Sequence, residues 1–260
     1  LLSFAALKAE NHIINGANGS GQFGKTVTVL PNGNYVVTDP LFDNALTDVG
    51  AVYLYNGATH ALISKMIGSV ANDQVGSGGV SVLSNGNYVV RSPNWDNNLI
   101  VDAGAVTWCN ANIGRAGALN STNSLVGSSA NDQVGSPFIY PLPNGNYVVF
   151  SCAWNNGSIV DAGAVTWCDG AIGRTGAISS SNSLVGSSDN DSIGAFSPIN
   201  PIVQLNNGNY VILSRFWDNG PSVATDAGAV TWCDAALGRT GAISSSNSLV
   251  GSNSFDQIGF

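Results

Sequence analysis

The chain has 260 residues, 44% of them hydrophobic and only 9% charged, so it can bury substantial apolar surface while its solubility rests on amides and hydroxyls. A net charge of −8, with only 8 Lys and Arg, argues against nucleic acid or another polyanion as partner. No apolar run reaches the length of a membrane span, and the opening LLSFAAL lacks both a basic leader region and an initiating Met, which reads as the interior of a longer chain.

In chain order, residues 12–24 (HIINGANGSGQFG) look like the later phrase NSLVGSSANDQVG at 123–135, so residues 1–20 read as the end of a preceding unit. Residues 19–26 (GSGQFGKT) match the Walker A pattern, but the β-branched VTVL that follows cannot supply the helix N-terminus that a phosphate loop needs. Nucleotide binding is therefore not expected, and no cofactor is implied.

The phrase NGNYVV then begins at Asn32, Asn85 and Asn144 and returns as NGNYVI at Asn207. Spacings of roughly 50 to 65 residues suit a four-stranded unit and are too long for one coil of a β-helix. Within the second copy, Val80 and Val82 alternate with small residues, Asn85-Gly86 interrupts, and Tyr88-Val89-Val90 resumes, predicting a hairpin closed by a type I′ turn. Residues 103–109 predict a third strand, residues 114–117 a loop, and Leu125-Val126 a fourth strand. No segment carries a sustained helical period. The expected units are residues 21–72, 73–131, 132–190 and 191–254, with 255–260 opening a further one.

Cys109, Cys168 and Cys233 hold equivalent places after Thr-Trp in successive units, too far apart for the roughly 7 Å Cα separation a disulfide tolerates. With Cys152 isolated, four free thiols are expected.

Phe23-Gly24, a β-run, NGNYVV, Asp39-Pro40 and then Gly50-Ala51-Val52-Tyr53-Leu54-Tyr55 resemble the FG-GAP repeat of integrin-α-like β-propellers. The phrases NGNYVV, NWDN and GAVTW are similar to degenerate repeats of long bacterial surface proteins of the filamentous-haemagglutinin type. The resemblance implies an all-β fold: a β-propeller of four-stranded antiparallel blades, four full repeats with partial blades at both ends. FG-GAP repeats commonly hold calcium in an Asp-rich loop between the first two strands, but here that loop is Leu30-Pro31-Asn32-Gly33-Asn34, without a carboxylate. No metal is expected there, and a weak ion near Asp73, Asp132, Asp191 or Asp256 stays open.

Catalytic groups are sparse. His12 and His60 are the only histidines and neither recurs, so no enzyme activity is expected. Asp48, Asp102, Asp161 and Asp226 precede each GAV phrase and suit loop-closing Asx roles. Trp108, Trp167 and Trp232 fall inside the third strand and read as core.

The candidate ligand residues are the aromatic-polar pairs after each second strand: Phe42 with Asp43, Trp95 with Asp96, Trp154 with Asn155, and Trp217 with Asp218. An aromatic plate beside amide and carboxylate acceptors suits a sugar ring, and several weak sites would add by avidity. The same repetition would arise from packing between neighbouring units. The sequence thus points to a non-enzymatic extracellular or cell-surface protein, bacterial by resemblance: a surface-layer, filament or adhesin component acting through self-association or a surface protein partner. The alternative is a multivalent glycan-binding propeller using the aromatic loops.

Overall fold

The computed structural model describes residues 13–196, 200–220 and 224–260, and among them there is no helix. The first unit is β1 (Val27–Val29), β2 (Tyr35–Asp39), β3 (Ala51–Tyr55) and β4 (Leu62–Ile67). The second is β5 (Gly79–Val82), β6 (Tyr88–Ser92), β7 (Ala105–Cys109), β8 (Gly117–Ala118) and β9 (Leu125–Val126). The third is β10 (Ile139–Pro141), β11 (Tyr147–Ser151), β12 (Ala164–Cys168), β13 (Gly176–Ala177) and β14 (Leu184–Val185). The fourth is β15 (Ile202–Gln204), β16 (Tyr210–Ser214), β17 (Ala229–Cys233), β18 (Gly241–Ala242) and β19 (Leu249–Val250).

Each unit is an antiparallel meander of four strands, β1-β2-β3-β4 in the first and β5-β6-β7-β9 in the second, repeated in the third and fourth. The short strand left over belongs to the neighbour. β8 pairs in parallel with β4, β13 with β9, and β18 with β14, so each later unit lends its predecessor a fifth strand. The loop expected around 114–117 therefore ends in a strand of the adjacent sheet.

The hairpin between the first two strands differs from the type I′ expectation. Gly33, Gly86, Gly145 and Gly208 lie at φ +89, +88, +92 and +89, but the preceding asparagines are not in the left-handed region. Leu30 N–H donates to the Asn34 carbonyl at 2.8 Å and Gly33 N–H to the Leu30 carbonyl at 2.9 Å, closing a three-residue loop. Such a loop is a type I turn followed by a left-handed glycine. It leaves both asparagine side chains of N-G-N projecting from the tip.

The strands VVF and AVTWC carry no apolar-polar alternation because both sheet faces are covered. Val36, Val52, Leu54 and Met66 of the first unit form one core with Tyr88, Val90, Ala105 and Cys109 of the second. Val89 and Val106 form the next with Tyr147, Val149 and Cys168, and Val148, Phe150 and Val165 the third with Tyr210, Ile212 and Cys233. These three cores thus lie between units, as expected when a repeat cannot bury its faces alone, while a fourth cluster of Val37, Phe42, Ala51, Tyr53 and Tyr55 lies on the other face of the first unit against Ile14 and Phe23. All four cysteines are free, and burial pushes the thiols of Cys109, Cys168 and Cys233 up to about 12, consistent with inert packing.

Candidate functional site

The aromatic loops fold inward. Phe42, Trp95, Trp154 and Trp217 are 4%, 3%, 3% and 2% exposed, and Trp95 packs with Val36, Leu54 and Met66 of the preceding unit. A sugar ring would find no open aromatic face to stack on. The indole N–H groups of Trp95, Trp154 and Trp217 are buried without a protein acceptor, whereas Phe42 carries the Lys65 ammonium 3.5 Å from its ring centre.

The polar partners close the same loops. Oδ1 of Asp43, Asp96, Asn155 and Asp218 accepts the backbone N–H of Asp48, Asp102, Asp161 and Asp226, at 2.7, 2.8, 2.9 and 2.8 Å. The next residue reaches the other way: the amides of Asn97, Asn156 and Asn219 donate to the carbonyls of Gly127, Gly186 and Gly251. The acids before GAV hold a different role from the Asx one expected of them. Asp48, Asp102, Asp161 and Asp226 adopt φ between +49 and +51, a conformation that Asp tolerates better than most residues. Their carbonyls receive the N–H of Gln74, Gln133, Ser192 and Gln257.

A second acid series makes the link between units. Oδ2 of Asp73 accepts the N–H groups of Ser69 and Val70, while Oδ1 accepts Asp96 N–H from the following unit at 3.0 Å. Asp132 joins Asn155 and Asp191 joins Asp218 in the same way. Burial raises the carboxyl pKa of Asp73 and Asp132, and that of Asp191 to about 6, outweighing the N–H donors that favour the carboxylate. Asp256, which is exposed, moves the opposite way: N–H donation from Asn253 and Ser252 lowers it. These carboxylates are saturated by backbone donors, and among the described residues no three His, Cys, Asp or Glu side chains group as a metal site.

The N-G-N tips form the remaining link. Asn85 and Asn87 donate to the Gly170 carbonyl of the third unit at 2.7 and 3.2 Å, and Trp108 Nε1 adds a third bond at 2.8 Å. Asn144, Asn146 and Trp167 converge on the Ala235 carbonyl at 2.8, 3.2 and 3.0 Å, and Asn32 and Asn34 on that of Ala111 at 2.9 and 3.0 Å. The second asparagine is double-ended, since Asn87 Oδ1 holds Ala111 N–H in its own unit. Reading N-G-N as turn chemistry alone misses this; its exact recurrence, both asparagines included, was the available signal, because a turn needs only one.

The Walker-like segment turns directly into β1, and its Ser20 hydroxyl and Gln22 N–H bind the Asp39 carboxylate at 2.5 and 2.6 Å. A carboxylate occupies the donors that a phosphate would require.

Protein-family comparison matches the chain four times to a repeat of unknown function (DUF5650), at residues 29–77, 82–136, 141–195 and 204–260. Comparison with curated proteins gives no match. The four matches fall in turn on the four sheets and together span most of the sequence, so the chain belongs to this DUF5650 repeat family.

Proposed function

We propose that the chain is a non-enzymatic structural segment of an extracellular or cell-surface repeat protein, acting as a surface-layer, filament or adhesin component. The observation that supports this reading is the use made of the recurrent polar and aromatic side chains: they close the units or join each to the next. The four-stranded antiparallel meander with apolar faces on both sides favours units arranged as propeller blades of the FG-GAP kind. Lateral contacts with a second copy or a surface protein would use side chains left outside the cores. Ile113, Ile172 and Leu237 stand 70%, 73% and 78% exposed at equivalent places in successive units, a row suited to such contacts.

The reading is tested on intact cells expressing the native gene, with antibody labelling and protease shaving before lysis. Labelling of unbroken cells and release of this segment by protease are expected; a signal that appears only after lysis contradicts it. A glycan array probed with the same protein is expected to be silent at the aromatic loops, because the rings of Phe42, Trp95, Trp154 and Trp217 are buried.

A further inference from the structure

The outer face of the fourth unit repeats, group for group, the faces that bind a neighbour elsewhere in the chain. In the second unit, Asn85, Asn87 and Trp108 grip one carbonyl, and in the third Asn144, Asn146 and Trp167 do the same. Their counterparts Asn207 Nδ2, Asn209 Nδ2 and Trp232 Nε1 have no acceptor among the described residues. Leu125 and Leu184 are 0% and 1% exposed beneath the next unit, whereas Leu249 is 74% exposed and Trp232 45%. Val211, Val230, Trp232 and Ser245 to Leu249 line an open apolar hollow of about 310 Å³. Of the three strand tryptophans expected to be core, Trp108 and Trp167 are partly buried against the cores shared with the following unit and Trp232 is exposed.

The missing element can be specified from what fills the other two faces. It is the arm G-R-x-G-A of the following unit, at residues 173–177 and 238–242. Gly173 packs so closely on Trp108, and Gly238 on Trp167, that an added Cβ would strike the indole. Gly176 N–H donates to the carbonyls of Ser121 and Ser124, Gly241 N–H to those of Ser180 and Ser183, and Ile243 N–H to that of Val185. Ser245, Ser248 and Val250 are the corresponding acceptors in the fourth unit.

We infer that this face is a docking site for a further repeat unit bearing a free G-R-x-G-A arm, gripped by Asn207, Asn209 and Trp232 and paired in parallel along Leu249-Val250. A second copy of this chain is the wrong occupant. Its first unit joins β3 to β4 through the short loop at residues 56–61 and has no arm, and the arms of its other three units already lie on the neighbours before them. The inference deepens the structural reading but rests on coupling geometry alone, so failure to find the protein at a cell surface would leave it standing.

The test is a lengthened chain, residues 1–259 followed by a second copy of residues 195–260 with Trp232→Phe in the copy, the signal of the original Trp232 being taken as the difference between each chain and the same chain carrying Trp232→Phe at the original position. A several-fold fall in acrylamide quenching of Trp232, relative to the parent chain, is expected. A further variant, with the copied arm carrying Gly238→Leu, is expected to restore quenching. Quenching unchanged from the parent, or an added unit that stays unfolded by circular dichroism, overturns the inference. In the parent chain alone Trp232 is expected to stay open at every concentration; a concentration-dependent dimer that shields Trp232 overturns the choice of occupant.

Discussion

At the scale of single residues, the tryptophans of the aromatic loops act as plugs between units. Trp95→Ala and Trp217→Ala should each lower the unfolding free energy by about 3–5 kcal/mol, the usual cost of emptying a large buried aromatic site. Urea denaturation checks this, and an unchanged midpoint would return the rings to the surface. The aspartates that tie the loops give a pH signature. Because the Asp191 carboxyl is raised to about 6 by burial, the folded chain keeps a proton that the unfolded chain releases between the ordinary carboxylate range and pH 6. Its contribution is therefore present in full below the unfolded pKa and is lost as pH rises through about 6. Asp191→Asn should flatten that part of the stability profile, and NMR titration should place Asp191 above Asp256.

At the scale of elements, two kinds of glycine separate turn geometry from close packing. Gly208 lies at φ +89 in open space, so Gly208→Ala should cost only the backbone strain, about 1 kcal/mol. Gly163, at φ +74, also faces the backbone of Ile193, which passes in a parallel bridge, so Gly163→Ala should be clearly worse in thermal unfolding. The N-G-N tips supply an internal comparison, since Asn85 donates across to Gly170 and Asn207 donates to nothing described. Asn85→Ala should destabilise by about 1 kcal/mol, the net worth of one hydrogen bond, and Asn207→Ala by much less.

Strand positions were legible in the sequence because Tyr88-Val89-Val90 and Ala105-Val106 are short apolar runs between turn residues. The role of Trp95 was not, since a Trp-Asp-Asn loop has the same composition whether the ring faces water or the next sheet. Nor was the strand Gly117–Ala118, because its two small residues become a strand only through pairing with Met66 and Ile67 of the sheet before.

At the scale of the whole molecule, stability resides in the three shared cores and in links that join only successive units. Such an array should couple nearest neighbours, so that damage at one junction spreads to the two units flanking it. The fourth unit, where Trp232 and Leu249 stand open, should exchange amide hydrogens faster than the second and third. The most direct measurement is residue-resolved hydrogen exchange on the Trp154→Ala variant. The coupling account predicts lost protection on both sides of the junction, in β7 and β9 of the second unit as well as β11 and β12 of the third. Protection lost only in the loop around residue 154, with both sheets unchanged, would contradict it.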